Sequence, residues 1–98
     1  MNVEFSPEAI DDLSSTLELI ASRDERAAER IAQHIWDLLE LLLAQGIDGP
    51  KSTIRWRGRR IVIRSWPVHP FRLFYQRTGD GLKVLRALHH ARKPIARR

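Results

Sequence analysis

The sequence predicts an α+β fold of two layers, with an N-terminal antiparallel helix hairpin packed on a mostly antiparallel β-sheet. Three observations lead there. Apolar residues recur at helical spacing through the first 45 residues. The stretch GIDGPKS (46–52), with two glycines and a proline, then breaks the pattern. Beyond it β-branched and aromatic residues rise, and turn signals separate short runs of them. A chain of 98 residues argues for one domain, spanning 1–98.

Residues 2–5 read as a short strand with Val3 and Phe5 on one face. Ser6-Pro7-Glu8 is a helix start: Ser6 can accept from an orphan N–H, Pro7 suits the first helical position, and Glu8 complements the helix dipole. Ile10, Leu13, Leu17 and Ile20 follow as one narrow apolar stripe, and the helix should end near Ser22. Ser22-Arg23-Asp24-Glu25 fits a capping box, with Asp24 as an alternative cap. A second helix then runs to about Gln45 and is ended by Gly46. Its stripe is Ile31, Ile35, Leu38, Leu39 and Leu42, widened by Trp36, Leu41 and Leu43. The short connection makes the two helices antiparallel neighbours.

In the second half, Ile54–Trp56 and Ile61–Trp66 are expected strands, joined by a turn at Arg57-Gly58-Arg59. Pro67 and Pro70 interrupt, and His69 falls in the loop between them. FRLFYQR (71–77) is a further strand, Thr78-Gly79-Asp80-Gly81 a turn, and LKVLRALH (82–89) its partner strand. Simple alternation places Leu82, Val84 and Leu88 on one face of this last strand and Leu85 and Ala87 on the other. Apolar residues on both faces indicate a strand covered on both sides.

The net charge of +5 conceals an asymmetry: residues 1–50 balance at −8 and residues 51–98 at +13, with Asp80 the one acid in the second half. Such a half attracts phosphates or acidic protein segments. Each arginine could equally serve as an intramolecular partner for the acidic helices.

Several chemistries lack their residues. There is no cysteine, so disulfides, thiolate metal sites and a thiol nucleophile are out. Adjacent strand residues point to opposite faces, so His89 and His90 are badly placed to share a metal, and neither a metal nor any other cofactor is expected. His34 reads as a boundary residue of the second helix. No Gly-rich phosphate loop precedes a helix, and a serine triad lacks an acid. The start has no signal-peptide pattern and no apolar run is long enough for a membrane span, so a soluble cytoplasmic protein is expected. Basic residues interleave with Trp56, Trp66, Phe71, Phe74 and Tyr75, as in a nucleic-acid-binding sheet, although alternation sends several of these inward. No helix-turn-helix or ribbon-type DNA reader stands out. Metal-free RNA cleavage needs a base, an acid and cations. His89, His90 or Tyr75 could transfer protons, and Arg64, Arg72, Arg77, Arg86 and Arg92 could supply charge; for Tyr75, core packing is the simpler role.

The order of elements, with RSWPVHPFRLFYQRTGDGLKVLRALHHARKP (64–94), resembles the ParE/RelE superfamily of bacterial type II toxins, and within it the ParE branch. The matching features are Arg64-Ser65-Trp66-Pro67-Val68, Phe71 to Tyr75, Asp80-Gly81, Val84 to Arg92 and the opening FSPEAIDDL. The resemblance implies a toxin held inactive by a cognate antitoxin, with which it could form a hetero-oligomer. ParE-like toxins are associated with poisoning DNA gyrase. RelE-like relatives cut mRNA on the ribosome with sheet arginines and lysines and a C-terminal tyrosine or histidine. Here Arg92 is followed by Lys-Pro-Ile-Ala-Arg-Arg, with no tyrosine. The expectation is therefore gyrase inhibition, with a functional basic face of Arg64, Arg72, Arg77, Arg86 and Arg92. The alternative is a metal-free mRNA interferase using His89, His90, Arg64, Arg86 and Arg92. Either way Arg64, Arg72, Arg86 and Arg92 are expected toward one rim or face.

Overall fold

The computed structural model describes residues 2–89. The chain runs β1 (Asn2–Phe5), α1 (Pro7–Ala21), α2 (Glu25–Gln45), β2 (Lys51–Trp56), β3 (Arg59–Val68), β4 (Phe71–Arg77) and β5 (Gly81–His89). The strands form one five-stranded sheet in the order β1-β5-β4-β3-β2. Only β1–β5 is parallel; the other three pairings are antiparallel. The expected two-layer α+β arrangement is the one observed.

Local signals set most boundaries. Ser6 caps α1, its Oγ accepting from Ala9 N at 3.0 Å, with Pro7 in the first turn. Gly46 ends α2 in the left-handed region at φ 66°. The cap of α2 is Asp24, whose Oδ1 accepts from Ala27 N at 3.1 Å. Ser22 serves the other helix instead, donating from Oγ to Leu19 O at the end of α1. A capping box beginning at Ser22 is thus replaced by its neighbour's cap.

The helices bury Ala9, Ile35, Leu39 and Leu42 against Phe71, Leu73, Tyr75, Leu82, Val84 and Ala87 of the sheet. Each large side chain so buried contributes about 1.5–3 kcal/mol. Val3 and Phe5 of β1 join this layer from the sheet edge. Ile10 does not: it is 53% exposed, and the buried position of that turn is Ala9. Small Ala9 lets α1 approach the sheet closely, which turns Ile10 outward.

Two strands are longer than their sequence signals. β2 begins at Lys51, and β3 continues through Pro67 to Val68. Pro67 lies past the end of the β2 ladder, which stops at Lys51↔Arg64. There β3 has β4 on one side only, so a missing N–H is tolerated. His69 and Pro70, joined by a cis peptide bond, make the tight turn into β4.

A bulge separates the two faces of β5. Tyr75 opposes Val84 while Phe74 opposes Arg86, leaving Leu85 as an extra residue. Alternation therefore changes phase. Ala87 joins Leu82 and Val84 under the helices. Leu85 and Leu88 instead meet Ile54, Ile63 and Phe74 in a second apolar cluster on the opposite face. This corrects the grouping of Leu88 with Leu82 and Val84.

No helix covers the second cluster, yet Ile54 is 1% exposed. The sheet curls over it. Arg57, in the β2–β3 turn, forms a bidentate pair with Glu8 of α1 at 2.9 and 3.2 Å. In a flat sheet β2 would lie three strand spacings, roughly 14 Å, from the β5 edge that α1 covers. Only a strongly coiled sheet brings them together.

Candidate functional site

The charged half of the chain is built on β2, β3, β4 and β5, and ladder parity decides where each cation goes. Arg64 opposes Tyr75, and Arg72 opposes Leu88. Tyr75 belongs to the layer beneath the helices and Leu88 to the cluster on the other side. Arg64 and Arg72 therefore occupy opposite faces of the sheet.

Arg64, Tyr75 and Arg77 gather around the loop between α2 and β2. The Arg77 guanidinium donates to Asp48 Oδ1 at 3.0 and 3.1 Å and to the carbonyls of Leu42 and Ile47 at 3.1 and 2.9 Å. It thereby caps the C-terminal end of α2, where a cation also suits the helix dipole. Tyr75 Oη accepts from Gly49 N at 2.8 Å and donates to Asp48 Oδ1 at 3.3 Å. Burial pushes the Tyr75 hydroxyl above its ordinary pKa, and neighbouring Asp48 adds to the effect. Arg64 Nη1 donates to Gly49 O at 3.2 Å. Gly49 has no alternative, because a Cβ there would overlap Ser65 O. Asp48, Arg64, Tyr75 and Arg77, with Lys51 and Val62, border a pocket of about 240 Å³.

Across the sheet, Arg72 Nε donates to Ser65 Oγ at 3.0 Å, and Ser65 Oγ shares a 2.7 Å hydrogen bond with Ser52 Oγ. This explains how Ser65 is fully buried among apolar neighbours.

Arg86 is committed to α1. Its Nε and Nη2 meet Asp12 Oδ2 and Oδ1 at 2.7 and 2.9 Å, and Asp12 Oδ2 also accepts from Ala87 N at 3.0 Å. The hydrogen bond to Asp12 raises the Arg86 pKa further above its already high value. Past the end of β1, these contacts and the Ser6 bonds to Val84 O and Leu85 O satisfy the open edge of β5.

His89 closes β5 opposite Phe71. Along β4 it is thus four residues, about 13 Å, from the position that Arg64 faces. His90 and Arg92 lie outside the described residues. The geometry does not bring His89, Arg64 and Arg86 together around one point: Arg64 and His89 face positions four residues apart on β4, and Arg86 is tied to Asp12. Among the described residues no three His, Asp or Glu side chains are grouped to hold a metal. No helix there is long and apolar enough to cross a membrane.

The densest group of cations among the described residues carries no positional signal in the sequence. Arg55, Arg57, Arg59 and Arg60 are exposed around the β2–β3 turn, with Lys51 at the start of β2. The run Arg55-Trp56-Arg57-Gly58-Arg59-Arg60 reads first as a turn, and its charge pattern alone assigns it to no face. Arg57 Cζ lies 4.5 Å from the Trp56 ring centroid, while its ion pair with Glu8 is held over the start of α1. That pair lowers the Glu8 carboxyl to about 2.

Comparison with known proteins places this arrangement. The family model for the ParE toxin of the type II toxin-antitoxin system parDE matches residues 3–94. A solved chain of the chromosomal ParDE TA system from P. aeruginosa superposes with a TM-score of 0.67 at 18% identity, covering 91% of this chain and 95% of that one. At that identity the likeness speaks for the fold. No curated protein matches the chain.

Proposed function

The chain belongs to the ParE toxin family of type II toxin–antitoxin systems, and from that premise we propose that it inhibits DNA gyrase by binding and is neutralised in the cytoplasm by a cognate antitoxin. The observation that favours binding over cleavage is that, among the described residues, His89, Arg64 and Arg86 do not converge, while Tyr75, which does lie beside Arg64, is buried with its hydroxyl bonded to Gly49 N and Asp48. Metal-free cleavage requires a base, an acid and cations within hydrogen-bond reach of one phosphodiester. Arg86 is held by Asp12, and Arg64 stands about 13 Å along the strand from His89. An antitoxin partner also suits the charge: a chain whose second half balances at +13 can order an acidic, otherwise disordered segment.

The test is a pair of assays on the purified protein. Supercoiling of relaxed plasmid by gyrase should fail, or cleaved DNA should accumulate. Ribosome-bound mRNA should stay intact. Cleaved mRNA with unimpaired gyrase would overturn the proposal. Co-expression with its cognate antitoxin should restore growth and yield a hetero-oligomer; continued arrest with no complex would remove the antitoxin part.

A further inference from the structure

The ladder between β2 and β3 contains an arrangement that is unfavourable on its own. Lys51 opposes Arg64, and Arg55 opposes Arg60. Directly opposed like charges on an antiparallel pair are destabilising. Two such pairs share one face of the hairpin, with Thr53 and Val62 between them. That face is the one that continues from the helix-covered layer, but it lies beyond the helices: Val62 is 64% exposed.

Nothing within the described residues neutralises these charges. The side chains of Lys51 and Arg60 make no hydrogen bond or ion pair there. Arg55 makes one long bond, 3.5 Å, to Gly58 O. Arg64 meets a carbonyl, Gly49 O, and no acid. The carboxylates within reach are already engaged, Asp48 by Arg77 and Glu8 by Arg57. The second pair stands four residues from the first, about 13 Å along the strands, which is close to the roughly 12 Å width of a DNA major groove.

We infer that this face of the β2–β3 hairpin is a contact surface for the phosphate backbone of duplex DNA, made by Lys51, Arg55, Arg60 and Arg64. This goes beyond gyrase inhibition, which requires contact with a protein and is tested separately. The nature of the face selects the partner. Single-stranded nucleic acid is held by stacking on aromatic rings, but Trp56 lies on the opposite face with Arg57 over its ring. Protein interfaces depend on buried aromatic or apolar anchors, and here the one large apolar side chain between the cations is Val62. A dense, regular polyanion needs neither.

The test is fluorescence anisotropy of the full chain with a labelled duplex of about two helical turns, over a salt series. Neutralising four phosphates predicts a log–log salt slope near −3.6, an affinity loss of about 100-fold between 50 and 200 mM salt. The double variant Arg55→Thr/Arg60→Thr should bind at least about tenfold more weakly, with a slope shallower by about 2. The charge-conserving Arg55→Lys/Arg60→Lys should keep most of the binding. Without DNA, the threonine variant should melt at or above the wild-type temperature, because a repulsive pair has been removed. Saturating duplex should raise the wild-type melting temperature more than the variant's. The inference is overturned if the duplex does not bind at low salt, or if the threonine variant keeps full affinity and slope. It is equally overturned if a single strand or a poly-glutamate chain of matched charge binds more tightly than the duplex. Should the threonine variant fail to fold, unchanged duplex affinity of the single variants Arg55→Thr and Arg60→Thr would overturn it.

Discussion

Arg57 and Glu8, 49 positions apart in the chain, meet at 2.9 Å through Nε and Oε2, joining the tip of the β2–β3 hairpin to the first turn of α1. Arg57 does this from a backbone φ of 51°, followed by Gly58 at 84°. Both signs are what a two-residue turn with right-handed strand twist demands. For Gly58 this is free; for Arg57 it is strained, and the ion pair and the Trp56 ring offset the strain.

This predicts an order of stability among variants at one position. Arg57→Ala keeps the unfavourable φ and loses both contacts. Arg57→Gly loses the contacts but relieves the backbone. Thermal melts should therefore rank Arg57→Ala below Arg57→Gly, and a reversed order would show that the turn is unstrained.

The same pair predicts a pH dependence. Glu8 has its carboxyl lowered to about 2 by the Arg57 hydrogen bonds. A carboxylate with a depressed folded pKa stabilises above its unfolded value, near 4.5, and that contribution disappears as pH falls toward 2. The melting-temperature gap between wild type and Glu8→Gln should be widest near neutrality and close between about pH 5 and pH 2. A gap constant across that range would contradict it.

Asp12 is predicted to matter more than an exposed ion pair. It accepts three hydrogen bonds, two from Arg86 and one from Ala87 N, and its side chain is 16% exposed. Asp12→Ala leaves an edge N–H and a half-buried guanidinium without partners, a loss of about 2–3 kcal/mol. Asp12→Asn should lose less. In a double-mutant cycle with Arg86→Ala, denaturant unfolding should reveal coupling of about 1 kcal/mol, whereas strict additivity would mean that the pair adds nothing.

Tyr75→Phe should cost about 1–2 kcal/mol by stranding Gly49 N and removing one bond to Asp48, while the fold survives. In the wild type, the raised Tyr75 pKa has a definite sign. The hydroxyl resists ionisation in the folded state, so its contribution is present below pH 10 and declines as pH climbs through the folded value. Ultraviolet titration should show the native phenol ionising later than in denaturant.

Glycine positions separate by what surrounds them. A Cβ at Gly49 or Gly81 would overlap Ser65 O or Asn2 O, both backbone atoms, while Gly79 has open space. Gly49→Ala and Gly81→Ala should each destabilise by about 2 kcal/mol or more, and Gly79→Ala should be near neutral by the same melts. Equal effects at all three would mean that the strands shift to make room.

How much of this was legible beforehand depended on whether the signal was local. Ser6-Pro7 and Gly46 bound their helices as expected because a cap is a contact between neighbours in sequence. The stripe Ile35, Leu39 and Leu42 was legible because helical periodicity is a property of one element. The basic character of the second half is legible in the sequence only as a charge balance. Charge alone groups Arg77, Arg86 and Arg64, yet each is aimed by a partner far along the chain: Asp48, Asp12 and Gly49 O.

The amino-acid sequence by itself determined two amphipathic helices, a β-rich basic half and the family-specific order of elements. These follow from periodicity, capping and composition, which act over a few residues. Tertiary structure alone decided the phase of β5 and the partners of the arginines. One extra residue at Leu85 moves Ala87 beneath the helices and Leu88 to the far face, and no pattern within the strand announces it. Strand pairing imposes that bulge. Coiling of the sheet then decides which cations meet an acid, as Arg57 and Arg86 do, and which, like Arg60, meet none among the described residues.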